Sequence, residues 1–405
     1  MKFVNDIVVG LNSKNGVVVL LIDLSAAFDT VDHNKLINIL FKELNVTGNA
    51  LNWFKSFLTG RTQRVFVGSH ISEPLELSFG VPQGSILGPI LFNIYTNSLS
   101  NTFTTNNFST LSYADDNNGY QIFSLSSKST IFNENIPNCI DSIKRWMNRH
   151  FLKINEDKTK IIVFGQPRFH MGLSITDVTT SSGEILEISD RVKYLGVLFD
   201  KFLNFIPHIN EVTSHCYLLL STIRRMRKYI SQTQVELLVH AVISSRIDYC
   251  NSLLYGVQKS NGLDKLQRVQ NVASKLVLRK SRLQGFPSLK RLEVLHWLPV
   301  HKRIVFKILV IIFNCFMCNA PILISSLLVP KLYDDAESYE YDVRFYFPSL
   351  EIGRRAFMYY APRLWNCLPL GLRKSETKLV FKKNLKTYLW NSYDVLMNDF
   401  TRYRN

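Results

Sequence analysis

A run of strand-favouring residues, Thr110 to Tyr113, stops at Asp115-Asp116-Asn117-Asn118-Gly119 and resumes as Tyr120-Gln121-Ile122-Phe123. That pattern predicts a β-hairpin whose turn carries two carboxylates. Far upstream, Val17 to Ile22 is a continuous apolar run closed by Asp23, as expected of a strand covered on both faces. A carboxylate at the carboxyl end of such a strand lies where open α/β sheets put their chemistry. Successive strand side chains point to opposite faces, so Asp115 and Asp116 cannot both aim at one point, and Asp115 is the expected principal member. Turns favour Asp and Asn for purely local reasons, so the pair takes its meaning from the rest of the chain.

At 405 residues and 46% hydrophobic, the chain has material for a sizeable core and for two or three domains. The net charge of +16 is uneven: 18 Lys and Arg stand against 5 Asp and Glu between Lys201 and Val310, which therefore supplies +13. Such a field suits a polyanionic partner, nucleic acid before membrane, although a basic surface can also be merely solvated. Six cysteines, at 139, 216, 250, 315, 318 and 367, are too scattered for a disulfide framework, and no signal peptide precedes them, so an intracellular, unsecreted protein is expected. Cys315 and Cys318 have metal-ligand spacing but no second pair close by in sequence, which predicts a buried helix rather than zinc. From Ile308 to Val329 no residue is charged, long enough to raise a membrane span. Asn314, Asn319 and Pro321 interrupt it, so two buried segments and no membrane partner are expected.

Along the chain, periodicity predicts a helix from Met1 to Leu11, a helix from Ala26 to Phe41 with Asp29 and Asp32 as terminus charges, and a helix from Ala50 to Leu58. Arg64 to Gly68 and Glu73 to Ser78 read as short strands. Gly80-Val81-Pro82-Gln83-Gly84-Ser85 fixes a bend ahead of a helix from Ile90 to Leu99, a place that suits close approach of a nucleotide or phosphate. An amphipathic helix follows from Ile136 to Met147, then a strand from Lys160 to Phe164 and another from Val192 to Phe199. Beyond Asp200 the pattern is helical, with Ile209, Val212, Cys216, Leu219, Leu220, Ile223 and Met226 forming a stripe that ends in Arg224, Arg225, Arg227 and Lys228.

Leu21-Ile22-Asp23-Leu24-Ser25-Ala26-Ala27-Phe28-Asp29, Gly80 to Ser85, Tyr113-Ala114-Asp115-Asp116, and Leu152-Lys153-Ile154-Asn155 with Lys158-Thr159 succeed one another in a recognisable order. The set resembles the reverse transcriptases of LINE-like, non-LTR retrotransposons. The resemblance continues through Tyr194-Leu195-Gly196, His296-Trp297-Leu298-Pro299-Val300 and Ala361-Pro362-Arg363-Leu364-Trp365-Asn366. It implies an α+β (α/β) chain: a right-handed polymerase palm with a central antiparallel sheet and packed helices over 1–200, a helical basic thumb over 201–285, and a mixed carboxyl-terminal region over 286–405.

The resemblance also implies RNA-directed DNA polymerase activity, with an RNA template, a DNA primer and a deoxynucleoside triphosphate as partners, in a nuclear or cytoplasmic ribonucleoprotein. By it, Asp23 and Asp115 hold two divalent cations with Asp116 in support, Mg²⁺ or alternatively Mn²⁺. Asp23 and Asp115 are 92 residues apart, so only adjacent strands of one sheet could unite them. Phe28 matches the gate against a 2′-hydroxyl, Gln83 and Gly84 the nucleotide and template contact, Lys158 a group near the pyrophosphate, and Tyr194, Leu195 and Gly196 the primer grip. Only 22 residues precede Asp23, so the fingers and the endonuclease of such elements are expected to be missing. The competing expectation is a non-catalytic remnant that at most binds nucleic acid.

Overall fold

The computed structural model describes residues 1–170, 177–180, 183, 185–257, 262–278, 287–330, 343–344 and 346–391. Of the 331–405 stretch, expected only as a helical, partly aromatic appendage, 331–342, 345 and 392–405 lie outside these described residues. The chain forms two compact units: Asn15–Asp190, and Met1–Lys14 together with Arg191–Asn405.

The first unit is built on a four-stranded antiparallel sheet of β1 (Gly16–Ile22), β2 (Ser109–Tyr113), β3 (Asp116–Phe123) and β4 (Lys160–Phe164), in the order β4-β1-β3-β2. All seven residues of β1 are buried, which is why this strand reads as unbroken hydrophobe. Val18, Leu20 and Ile22 pack into one core with Leu36 and Leu40 of the helix His33–Lys42, Phe92 and Tyr95 of Gly88–Thr96, and Ile140 and Ile143 of Ile136–Arg149. A central antiparallel sheet with packed helices is therefore present.

Several local expectations change. The predicted helix from Ala26 is a turn as far as Thr30, and the helix itself is His33–Lys42. Two contacts explain this: the Phe28 and Val31 carbonyls accept from Val81 N (2.9 Å) and Gly80 N (2.8 Å), so they cannot serve a helix, and Asp32 caps the later start by accepting from Lys35 N at 2.6 Å. In the acidic hairpin only Ala114 and Asp115 form the turn. Asn117, Asn118 and Gly119 belong to β3, where they are buried opposite Ile22, Leu21 and Leu20. A side chain at Gly119 would overlap the Phe103 ring, so this glycine serves packing rather than a bend. The region 62–76 forms two exposed two-residue pairings, Thr62–Gln63 with Leu75–Glu76 and Phe66–Val67 with His70–Ile71, in place of two longer strands.

The second unit does not follow the boundary expected at 200. Its first helix, Lys2–Asn12, presents Phe3 to Tyr194 and Phe199 at ring separations of 5.2 and 5.7 Å. Two buried asparagines fasten it: Asn5 Oδ1 accepts from Met358 N at 3.1 Å and Asn12 Oδ1 from Leu350 N at 2.8 Å. Apolar periodicity could not show this, because the deciding contacts are polar. The hairpin of β5 (Arg191–Tyr194) and β6 (Val197–Asp200) belongs to the same unit. In the helix Ile206–Met226 the expected stripe is kept at Ile209, Cys216, Leu220 and Ile223, whereas Met226 is exposed. Arg227 is buried instead: it donates at 3.0 Å to the carbonyls of Leu276, Val277 and Ile230, closing the end of the helix Asp264–Val277. Cys315 ends a mostly buried helix, Val300–Phe316, but Cys318 lies beyond it and is exposed. The segment after Asn319 is likewise mostly unburied, with Ile322 82% exposed, although Leu328 is buried. Among the described residues no helix is long and apolar enough to cross a membrane.

Replacing Gly119 with alanine tests the packing of the hairpin into the first unit. The added methyl forces the Phe103 ring aside, and we expect a loss of about 1–3 kcal/mol, read from the denaturation midpoint; an unchanged midpoint contradicts the close contact.

Candidate active site

Asp23 follows directly on β1. Ile22 pairs with Asn117, and one further step of that register sets Asp23 across from Asp116. On the other side Asp116 pairs with Tyr113 across the Ala114-Asp115 turn, whose first residue has φ +54°, a conformation most residues avoid. The turn leaves Asp115 exposed at its tip and Asp116 partly buried. Burial first, then the negative charges of Asp115 and Asp23, push the Asp116 carboxyl above the usual carboxylate range. β1 and β3 are adjacent strands, and Asp116, the member expected only to support, occupies the register position facing Asp23, while Asp115, the expected principal member, lies in the turn rather than on a strand.

A second segment secures Asp23. Leu24 and Ser25 pair with Ile154 and Lys153, the Asp23 carbonyl accepts from Asn155 N at 2.9 Å, and Asp23 N donates to Thr159 Oγ1 at 3.4 Å. Asn155 is the hub: its carbonyl accepts from Thr159 N (2.9 Å) and Thr159 Oγ1 (2.8 Å), and its Oδ1 from Lys158 N (3.3 Å). This lacing brings Lys158 Nζ to 3.8 Å from Asp23 Oδ2, an ion pair too long for a hydrogen bond. Asp23 Oδ2 is itself buried and has no hydrogen-bond partner.

That orphaned oxygen bears on whether a cation fits. Among the described residues no group of three His, Cys, Asp or Glu side chains able to hold a metal ion is present. Mg²⁺ does not require such a cage, because it keeps several waters and is commonly bound by one or two carboxylates plus substrate phosphates. A buried oxygen without a hydrogen-bond partner, next to a carboxylate disfavoured by burial and like charge, is a donor set that a hard cation would satisfy.

The loop carrying Phe28 and the loop carrying Gln83 are held as one piece. Besides the Phe28–Val81 and Val31–Gly80 bonds already described, His33 Nε2 lies 2.7 Å from the Gly80 carbonyl. Gln83 Nε2 donates to Asp29 Oδ1 at 2.7 Å. A carboxylate can only accept, so this contact fixes which way the Gln83 amide points. Asp29, expected to be a helix-terminus charge, thus orients an exposed amide. The Phe28 ring is half-buried and stacks on Phe92 at 4.6 Å, while Gly84 stands open with φ +79° and no atom within 4 Å of where a Cβ would sit. Asn155, Thr159, Asp29 and His33 were not singled out as site residues from sequence. The only sequence signal for the first two was their place within the Leu152–Thr159 motif.

In the second unit Leu195 and Gly196 form the β5–β6 turn, both with positive φ (+46° and +76°), the geometry of a two-residue hairpin. Tyr249 hydroxyl donates to the Leu195 carbonyl at 2.7 Å. Tyr194 is buried at 8% exposure and points away from any surface role, so the exposed part of the expected grip is the turn itself. A cleft of about 560 Å³, lined in part by Lys193, Gly196, His215, Arg246 and Tyr249, opens beside it.

Residues 6–199 match the family model described as reverse transcriptase (RNA-dependent DNA polymerase). The chain is 28% identical over 269 residues to the probable RNA-directed DNA polymerase from transposon BS of Drosophila melanogaster, covering 63% of this chain and 28% of that protein. It is 25% identical over 303 residues to the RNA-directed DNA polymerase from mobile element jockey of the same species, covering 73% and 30%. The chain therefore spans less than a third of the length of these curated relatives. Among solved structures, telomerase from Candida tropicalis, in complex with a fragment of telomeric RNA, aligns over 70% of this chain and 49% of that one, at 12% identity and a slight TM-score of 0.31.

The raised Asp116 carboxyl makes a signed prediction. A group that binds its proton more tightly folded than unfolded costs stability above its folded pKa, and the cost disappears as pH falls through that pKa towards the unfolded value. Asp116→Asn should therefore raise the melting temperature at about pH 8, with the gain shrinking towards about pH 4. Equal melting temperatures at the higher pH would mean that neither burial nor the charges of Asp115 and Asp23 disfavour the Asp116 carboxylate.

Proposed function

With residues 6–199 belonging to the reverse transcriptases of the non-LTR retrotransposon type, we propose that this chain is an RNA-directed DNA polymerase that extends a primer 3′-hydroxyl with deoxynucleotides on an RNA template. The observation that carries the reading is the Asp23 carboxylate, which stands at the end of β1 beside the acidic hairpin with a buried oxygen that accepts no hydrogen bond. In this reading Asp23, Asp115 and Asp116 hold Mg²⁺, or Mn²⁺ in its place. Bound there, a divalent cation lowers the pKa of the attacking hydroxyl and offsets charge on the departing pyrophosphate. The primer oxygen forms its bond to the α-phosphorus, the bond between the α- and β-phosphates breaks, and the hydroxyl proton is lost.

The remaining roles fall to groups of this chain. Lys158 carries a proton at Nζ near Asp23, so it can deliver that proton to the leaving pyrophosphate. Phe28 presents an apolar ring braced on Phe92, leaving a 2′-hydroxyl without a hydrogen-bond partner and so favouring deoxynucleotides. Gln83, its amide oriented by Asp29, contacts the template or the incoming nucleotide next to the open backbone at Gly84. The Leu195-Gly196 turn holds the primer strand, and exposed cations of the helical region from Lys201 onward, such as Arg224 and Arg225, contact the duplex backbone without reading sequence.

Primer extension by the purified chain on an RNA template with a DNA primer, in Mg²⁺ and in Mn²⁺, tests the proposal. Asp23→Asn should reduce incorporation by about 100-fold or more while leaving binding of the hybrid intact. A folded wild-type chain that binds the hybrid and adds no nucleotide would favour the non-catalytic alternative. Phe28→Ala should narrow the preference for deoxynucleotides over ribonucleotides by about 10-fold or more; unchanged sugar selectivity refutes the gate.

A further inference from the structure

The last described helix, Lys378–Asn391, contains Lys378, Lys382, Lys383 and Lys386 and no Asp or Glu. Its apolar side is committed to the second unit, since Phe381, Leu385 and Leu389 are buried and Phe381 stacks on Phe313 at 4.3 Å. Lys378, Lys382 and Lys386 recur at every fourth position and so form a row along one flank, with Lys383 beside it. Lys378, Lys383 and Lys386 are exposed and Lys382 is partly so. The other flank, which carries Asn384, Thr387 and Asn391, is uncharged.

The fold does not account for this row. None of the four lysines has an ion-pair partner among the described residues. Like charges four residues apart repel within a helix. The helix dipole favours acids in the first turn, yet here the first turn begins with Lys378 and has no acid; at the other end the helix takes its cation from Lys302, which donates to the Leu389 and Trp390 carbonyls, not from this row. A row of exposed like charges without an ion pair among the described residues is placed to accept an anion supplied from outside.

We propose that the flank formed by Lys378, Lys382, Lys383 and Lys386 is a nucleic-acid contact surface separate from the reverse transcriptase region, gripping phosphodiester backbone without reading bases. A lipid surface fits less well, because a helix that lies on a membrane must offer its apolar face to the acyl chains, and here that face is buried. Catalysis is not required, so the inference does not depend on the polymerase activity.

The test uses the full chain and a triple variant, Lys378→Gln, Lys382→Gln and Lys386→Gln, with a second triple variant carrying arginine at the same positions. Fluorescence anisotropy with a single-stranded RNA and with an RNA–DNA hybrid, each of about 20 nucleotides, is followed across a potassium chloride series. The glutamine variant should bind at least one probe about 10-fold more weakly at low salt, and its plot of log affinity against log salt should be shallower by about 2 to 3. Which probe is affected identifies the strand that is held. The arginine variant should match wild type. Unchanged affinity and slope on both probes overturn the proposal, as does a glutamine variant that loses only its binding to phosphatidylserine vesicles.

Discussion

The pairing of Gly16–Ile22 with Asp116–Phe123 is the constraint on which the site depends. Side chains alternate between the two faces of a sheet, so a slip of one residue would turn Val18, Leu20 and Ile22 out of the core and carry Asp23 away from Asp116. The buried partners opposite the end of β1 are Asn117, Asn118 and Gly119, and the absent side chain at Gly119 admits the Phe103 ring. Register, core packing and the meeting of the acids are therefore one event. The burial and the like-charge repulsion that together raise the Asp116 carboxyl are held in place by that hydrophobic pairing.

Two sets of backbone contacts extend this rigidity outward. One joins Asp23 and Leu24 to the Ile154–Thr159 segment through Asn155; the other joins the Phe28 loop to the Gln83 loop. The second replaces regular secondary structure that the local sequence would otherwise support. The Phe28 and Val31 carbonyls would suit an earlier helix start, but they are taken by amides from the second loop. Function-bearing side chains thus sit on irregular backbone whose polar groups are nonetheless paired, as buried or half-buried loops must be.

The parts of this arrangement legible in the sequence are those written in short-range patterns. The apolar run of β1, the acidic turn and the strand Lys160–Phe164 declare themselves through periodicity and composition, and the order of the motifs points to the family. What could not be read is where long-range polar partners intervene. Asn5 and Asn12 fasten the first helix to residues more than 330 positions away, so that helix joins the carboxyl-terminal part instead of the strand that follows it. Asp29 looked like a helix-terminus charge because nothing in its neighbourhood reveals Gln83 as its partner. Asn117 and Asn118 looked like turn residues because local preference assigns asparagine there, and pairing with β1 overrides it.

Charge shows the same division between composition and position. The excess of cations from Lys201 to Val310 suggests a continuous basic surface, yet part of it is internal. Arg227 closes the carbonyl end of Asp264–Val277, Arg291 is 3% exposed and bonds to Ser274 and Ser288, Lys302 caps the carbonyls of Leu389 and Trp390, and Arg303 pairs with Asp248. Cations used in this way lie near helix ends or carboxylates, where dipoles and acids favour them. A basic residue bears on nucleic acid only after such local demands have been subtracted. By that criterion Arg224 and Arg225, exposed beside the buried Arg227, are themselves partly accounted for by the fold, because they stand in the last turn of Ile206–Met226, where the helix dipole favours cations.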